Sequence, residues 1–296
     1  MKKYLLVVFA VMAALTSCQK EDVFAPWRDP SKFVVYADNS YFTVMHYNIF
    51  GAQGGWTAAR FDDVAAVIRS QKPDFVSLNE VDSMTTRNKY HMARELANRT
   101  GLTHYYAVAR EPYSLHWNQP GAYGDAILSR YPVREVRKFK LYPDAAQGET
   151  DKEDRSVCAI KAVVGEELVW IVTTHLDHRG NEMSRVKQAK DFQTIINQLD
   201  GNVIVCGDMN ATPTSNPMKI MYEYLTPCYN TLEPAPATYP SIMPNKETGK
   251  VVQTPTSCID YILTKNKNQG ITCTSYRVVN SSASDHCAVV ATFKYN

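Results

Sequence analysis

The apolar run Val203-Ile204-Val205-Cys206 is followed at once by Gly207-Asp208-Met209-Asn210. Four consecutive apolar residues bounded by turn formers read as a short buried strand. A buried strand that stops on polar side chains delivers them to an open sheet edge, where function collects on a rigid scaffold. Asp208 and Asn210 are two apart, so on an extended backbone they face one side. Gly207 lets the backbone turn sharply or come close to a ligand. A carboxylate beside an amide suits a proton, a metal or a phosphate. Gly, Asp and Asn are equally the residues of an ordinary turn, and this stretch alone favours the turn. The constraint on the whole chain is whether other strands end in matching chemistry.

They do. Residues 42–48 alternate and stop at Asn48; residues 75–81 form a strand with Glu80 at its carboxyl end. Residues 168–174 lead into His175-Leu176-Asp177-His178-Arg179, residues 259–263 contain Asp260, and Ser284-Asp285-His286 introduces a strand over 287–293. Further strands are expected over 105–109, 126–129, 157–164 and 275–279. Helical spacing of apolar residues marks 57–70, 90–100 (ended by Gly101) and 183–199, with a short helix near 218–225. Residues 226–256 are proline-rich and read as irregular. About ten strands and four helices, partly as hairpins and partly alternating, point to an α+β chain. The architecture expected is a four-layer α/β/β/α sandwich, two packed mixed β-sheets flanked by helices, over 41–296.

The N-terminus reads differently. Lys2 and Lys3 precede an apolar run over 4–15, too short to span a bilayer as a mature helix, so 1–17 read as a secretory leader. It ends in Leu15-Thr16-Ser17-Cys18, which resembles a bacterial lipobox and implies cleavage before Cys18 and lipidation of that residue. Residues 18–40, with Pro26 and Pro30, read as a tether. The location expected is the bacterial cell envelope, lipid-anchored in the outer membrane, on the periplasmic face or the cell surface. Such a compartment permits disulfides among the six remaining cysteines. Several lie in apolar strand-like runs, which favours mostly free thiols with at most one bridged pair. No Cys-x-x-Cys occurs, which argues against structural zinc. The net charge of +2 argues for neither a strongly basic nucleic-acid binder nor an acidic tail, and leaves local basic patches open.

Taken together, Asn48, Leu78-Asn79-Glu80-Val81, Tyr123-Gly124, the run Ala126-Ile127-Leu128-Ser129-Arg130-Tyr131-Pro132, Thr174-His175-Leu176-Asp177, Gly207-Asp208-Met209-Asn210, Ile259-Asp260-Tyr261-Ile262 and Ser284-Asp285-His286 resemble the endonuclease/exonuclease/phosphatase superfamily. The resemblance covers 41–294 and implies the pancreatic-deoxyribonuclease-like fold. It also implies phosphoester hydrolysis with a divalent metal, Mg²⁺ with Mn²⁺ as the alternative. Glu80 and Asn48 would hold the metal. His286 would take a proton from the attacking water, with Asp285 fixing its tautomer, and Asp208 would orient that water or act as the base itself. Asn210 and His175 would donate to the phosphate, and Asp260 would hold a histidine from behind.

Three departures from related patterns matter. Asn79 stands where the family often has glutamine. Thr256-Ser257-Cys258-Ile259-Asp260-Tyr261 lacks the Pro-x-Trp-x-Asp-Arg of inositol 5-phosphatases. Asn79-Glu80-Val81-Asp82 replaces the Gln-Glu-Thr-Lys of apurinic endonucleases. Arg87, Arg155 and Arg179 are candidates to clamp phosphate oxygens. Tyr123, with Tyr113 and Trp117 in the 110–124 loop, is a candidate to stack on a base, sugar or headgroup. The expectation is a monomeric phosphodiesterase acting on a small phosphodiester, a lipid headgroup or nucleic acid, and meeting the membrane through its lipid anchor. A secreted nuclease is the alternative within the class. A non-catalytic lipoprotein that captures a phosphorylated ligand is the alternative outside it.

Overall fold

Strand β1 (Tyr41–Asn48) and strand β2 (Phe75–Ser83) lie side by side in parallel. Parallel neighbours need a crossover, and helix α1 (Ala58–Gln71) supplies it. The second half of the chain repeats the device, with β7 (Glu167–His175), helix α3 (Met183–Asn197) and β8 (Asn202–Asp208). In both units the carboxyl ends of the parallel strands carry the polar residues read from the sequence. The computed structural model describes residues 40–110, 121–144, 153–179, 182–229, 234–242, 254–266 and 270–296. The leader, Cys18, nearly all of the 18–40 tether, Tyr113 and Trp117 lie outside the described residues.

Around these units the remaining strands are β3 (Thr103–Arg110), β4 (Ala122–Ser129), β5 (Val133–Leu141), β6 (Arg155–Val164), β9 (Leu225–Pro227), β10 (Asp260–Lys265), β11 (Ile271–Val279) and β12 (Ala288–Tyr295). They build two six-stranded sheets. The first has the order β11-β12-β1-β2-β4-β3 and the second β5-β6-β7-β8-β10-β9, each mixed through its one parallel pair. Helix α1 and helix α2 (Met92–Thr100) cover the outer face of the first sheet through Met45, Tyr47, Phe61, Val64, Leu78 and Leu96. Helix α3 and helix α4 (Asn216–Tyr222) cover the second through Trp170, Val172, Phe192, Val203 and Met218. The four-layer α/β/β/α sandwich is therefore the fold. Among the described residues no helix is long and apolar enough to cross a membrane.

The two inner faces form the third core, and it is graded along the strands. Alternation sends Phe42 and Val44 of β1 inward, so His46 and Asn48 take the same face. The sequence Phe75, Ser77, Asn79 does the same in β2. In β7 it is Val169, Ile171, Thr173, His175, and in β8 Ile204, Cys206, Asp208. Each strand starts in a dry interleaf with Phe293, Ile160 and Ile262 and ends in buried polar groups. Each fully buried large apolar side chain contributes roughly 1.5–3 kcal/mol. A buried polar group without a partner costs a similar amount, so the polar end has to be a closed hydrogen-bond network.

Two strands were not legible beforehand. In β5 half-buried residues alternate with exposed ones, and Arg134, Glu135, Arg137, Lys138 and Lys140 crowd it. It is a sheet edge, where charges discourage pairing with other chains and dilute the apolar signal. Strand β9 has three residues and closes the opposite edge. The role expected of Gly207 also changes. It is a regular strand residue paired with Thr174 of β7, and a side chain there would collide with the Thr174 carbonyl oxygen. The glycine serves close packing of β7 on β8, not a sharp turn. Gly207→Ala is expected to lose roughly 1–3 kcal/mol of stability in urea denaturation. An unchanged midpoint would show that the two strands have room to spare.

Candidate active site

Glu80 is aimed by a defect in its strand. The register of β2 on β4 shifts between Leu78 and Val81, and Glu80 has φ 59°, a left-handed conformation that a non-glycine residue holds only at a cost. The bulge swings the carboxylate out of the ladder to the rim. There Oε2 accepts from the Ala52 N–H at 2.9 Å, within the 3-10 turn Gly51–Gln53. Asn48 is fully buried. Its Oδ1 accepts from the Phe50 N–H at 3.0 Å, which turns Nδ2 toward two carboxylates: Asp208 Oδ2 at 3.0 Å and Glu80 Oε1 at 3.4 Å.

Asp208 and Asn210 converge, though not along an extended strand. Asn210 is left-handed, φ 46°, and its N–H donates to Asp208 Oδ1 at 2.9 Å. The turn and the site are the same object. Asn210 Nδ2 donates to the Leu176 carbonyl at 3.0 Å and lies 2.9 Å from His175 Nε2. From the opposite sheet, Asn79 Oδ1 accepts the Asp208 N–H at 2.8 Å, while its Nδ2 reaches Asp125 at 2.7 Å and Thr173 at 3.2 Å. The shorter amide thus still supports Asp208.

His286 is held by Asp260, and the expectation that Asp285 fixes its tautomer is corrected. Asp260 Oδ2 lies 2.9 Å from His286 Nδ1 and accepts from the Thr238 hydroxyl at 2.7 Å. Its Oδ1 lies 3.1 Å from His46 Nε2. His286 Nε2 then faces Asp208 Oδ2 at 3.6 Å, and the Tyr239 ring packs on the imidazole at 4.7 Å between centroids. Burial opposes ionisation of Asp260, but the adjacent histidines, His286 above all, hold its carboxyl well below the usual range. Burial likewise works against a charged His286; the Asp260 and Asp208 carboxylates overcome it and lift the imidazole to about 10. Burial raises Asp208 to about 6, with His286 opposing and Asp260 reinforcing. Asp285 is half-buried at the rim. Burial pushes it up to about 7 against the pull of His286, with Glu80 and Asp208 adding to the rise.

His175 behaves differently. Its Nδ1 lies 3.1 Å from Arg155 Nη1 and its Nε2 2.9 Å from Asn210 Nδ2; both neighbours are donors, and a neutral imidazole accepts through one nitrogen alone. Nε2 is also 3.5 Å from Asp208 Oδ2. Burial first, then the Arg155 charge, keep the imidazole neutral.

The arginines singled out as phosphate clamps are already engaged. Arg155 is 1% exposed and binds Glu153 at 2.8 Å and the Tyr123 hydroxyl at 3.1 Å. Glu153 also takes Arg110 at 2.8 Å and Arg179 at 2.6 Å. Arg87 grips Asp82 with two bonds, 2.6 and 2.8 Å. Tyr123, read as a stacking surface, is buried with Arg87, Arg110 and Arg155 all 5.5–5.9 Å from its ring centre. These residues form the wall behind His175.

Two groups bring potential metal ligands within 4.8 Å of one another: Asp208, Asp260 and His286, and Glu153, Asp177 and His178. Three guanidiniums on Glu153 would repel a cation from the second. In the first, both Asp260 oxygens are occupied by His46, His286 and Thr238. The rim of Glu80, Asp208 and Asp285 fits better. It presents hard oxygen donors, which suit a divalent cation, and Glu80 and Asp208 add by repulsion to the rise that burial gives Asp285. A cation would relieve that repulsion.

Sequence reading missed His46, Thr238 and Tyr239 as parts of this site. For His46 a signal existed, since it lies two residues before Asn48 on the same strand face. Thr238 and Tyr239 sit in the proline-rich stretch, whose pattern says nothing of where it docks.

A model described as the Endonuclease/Exonuclease/phosphatase family matches residues 45–286. No curated protein sequence matches the chain. Among solved structures, a mannosyl-6-phosphatase from Bacteroides thetaiotaomicron is similar with a TM-score of 0.65 at 17% identity, covering 85% of this chain and 99% of that one. The catalytic domain of human Nocturnin, solved with a bound sulfate, gives 0.63 at 19% identity over 88% and 95%. Truncated TDP2 from Caenorhabditis elegans gives 0.60 at 17% over 86% and 98%. At these identities the likeness is one of fold.

The Asp260–His286 pair makes a prediction in metal-free protein. A raised histidine stabilises the fold fully below its ordinary 6.5, and that contribution is lost as pH climbs through about 10. A depressed carboxylate contributes above its ordinary 3.8 and fails as pH falls through its lowered value. The pair therefore stabilises most between 3.8 and 6.5. In Asp260→Asn the His286 imidazole, followed by NMR, is expected to titrate near or below 6.5 instead of near 10. An unshifted titration would show that Asp260 does not hold the charge.

Proposed function

We propose, from the premise that the chain belongs to the endonuclease/exonuclease/phosphatase family and is a phosphoester hydrolase, that it is a Mg²⁺-dependent phosphodiesterase. Asp208 serves as its general base and His286 as its charged proton donor. One observation carries the division of roles. Asp208, raised to about 6, and His286, raised to about 10, face each other across 3.6 Å. Two titratable groups pushed apart in this way are an acid and a base at neutral pH. Of the two divisions the sequence left open, His286 or Asp208 as the base, this is the second.

Glu80, with Asp285 beside it, would hold the cation, which supplies Lewis-acid polarisation of a phosphoryl oxygen; Asn48, expected from the sequence as a second ligand, turns its amide nitrogen to this rim and its oxygen to the Phe50 N–H. The rest belongs to the chain. Asp208, oriented by Asn48 Nδ2 and the Asn210 N–H, takes a proton from water. The protonated His286, steadied by Asp260, donates from Nε2 toward phosphoryl oxygen. His175 and the Asn210 amide would add neutral donors where charge develops. A diester suits this set, because it brings one negative charge. The guanidiniums of Arg87, Arg155 and Arg179, which would favour a dianionic monoester, are bound to Asp82 and Glu153. The similarity in fold to a mannosyl-6-phosphatase makes the monoester the alternative to test.

The assay compares bis-p-nitrophenyl phosphate with p-nitrophenyl phosphate. Turnover of the diester is expected to vanish in EDTA and return with Mg²⁺, and His286→Ala is expected to lose roughly 10²–10⁴ in rate. With Asp208 as base and His286 as acid, kcat/KM should rise through about 6 and fall toward 10. Preference for the monoester would overturn the substrate reading, and full activity in EDTA the metal.

The leader and Cys18 support an enzyme lipid-anchored at the bacterial cell envelope and acting as a monomer. Cys18→Ala is expected to move the protein from the membrane fraction to the soluble fraction. Retention of that variant in membranes would sink the anchor.

A further inference from the structure

All six described cysteines are free thiols, and two of them touch. Cys228 comes directly after β9, the edge of the second sheet, and its N–H is bonded to Ile262 of β10 at 3.0 Å. Cys273 lies in β11, the edge of the first sheet. The register of β11 shifts between Cys273 and Ser275, and a bulge of this kind re-aims the side chain beside it. Cys273 Sγ lies 3.9 Å from the Cys228 carbonyl oxygen, and the two thiols are near enough for each to shift the proton affinity of the other. Both pack against the apolar interleaf core. Among the described residues no backbone ladder joins the two sheets at these edges, so this contact spans a seam closed there by side chains.

We propose that Cys228 and Cys273 form a disulfide that staples the two sheet edges together. The pair is chemically asymmetric in the way the reaction requires. Cys273 is partly exposed on an edge strand, and the hydrogen bond from Cys228 lowers its thiol against the effect of burial. Burial, then Cys273 itself, raise Cys228 well above an ordinary thiol. Cys273 is the attacking group and Cys228 the resolving one. The oxidant is a small-molecule disulfide such as oxidised glutathione. The Cys273 thiolate attacks one glutathione sulfur and expels the other as a thiolate, leaving a mixed disulfide. Cys228 then attacks Cys273 Sγ and expels the second glutathione. Two electrons pass from the protein to glutathione, and the two thiol protons end on the two released glutathione thiols.

The staple lies away from the chemistry. Cys273 stands opposite Phe293 in β12, at the far end of that strand from His286. Its closure joins residues 45 apart in sequence, a span whose removal from the unfolded ensemble favours the fold. It should act on stability and leave catalysis alone.

The test uses the full chain, purified reduced, equilibrated with reduced and oxidised glutathione, alkylated and mapped by mass spectrometry without reduction. The expected result is a single linked peptide pair, Cys228 with Cys273, lighter by two hydrogens. The melting temperature should fall by roughly 5–10 °C on reduction, with phosphoester turnover unchanged. In Cys273→Ser the reductant should no longer move the melting temperature. That exposed-edge variant decides the matter even where Cys228→Ser fails to fold. Alkylation of both thiols under oxidising conditions, a stable glutathione adduct at Cys273, or a link from Cys228 to the nearby Cys206 would each overturn the proposal.

Discussion

The buried carboxylate of Asp260 is the constraint on which the rest depends. It is fully excluded from water, and an ionised carboxylate is tolerated there only if its oxygens are paired. His46 comes from the first sheet, His286 from the approach to β12 and Thr238 from the proline-rich connection. Between them they occupy both oxygens. Breaking a buried pair typically costs about 3–5 kcal/mol, a large share of the roughly 5–15 kcal/mol by which a domain is stable. Asp260 therefore ties the two sheets and the irregular stretch over them together, beside the Asn48 and Asn79 bonds to Asp208.

The same group sets the chemistry. Asp260 holds a proton on His286 and helps to raise Asp208, whose ordinary carboxylate value would make it a weak base. Asn79 and Asp125 continue the network on the other side. Asn79 holds the Asp208 backbone from across the interleaf, and Asp125, bonded to Asn79, is pushed up to about 7 chiefly by burial. Fold and the proposed catalysis thus draw on one set of hydrogen bonds. The apolar half of the interleaf presses the sheets together, and the polar half decides how they meet.

Several residues explain how much was readable in advance. Asn48, His175 and Asp208 stand at the ends of strands whose apolar alternation announces them, and their convergence follows from two parallel units placed in one sandwich. Glu80 was legible as a rim carboxylate, but its left-handed backbone was not, because a bulge depends on the partner strand. Strand β5 was hidden by its own charges. That Arg155 and Arg179 bind Glu153 was not readable, because nothing local tells an arginine which carboxylate will hold it. Tyr239 had no pattern at all.

The sequence by itself determined the fold class, the layer each strand face belongs to and the identity of most groups at the rim. Period-two alternation and helix spacing are local, and they survive without knowledge of neighbours. Only the tertiary structure decided who pairs with whom: Asp260 rather than Asp285 on His286, Arg155 on Glu153 and His175, Cys228 on Cys273. Those choices shift proton affinities through burial and charges a few ångströms away, and such distances exist only after residues far apart in the chain have been packed together.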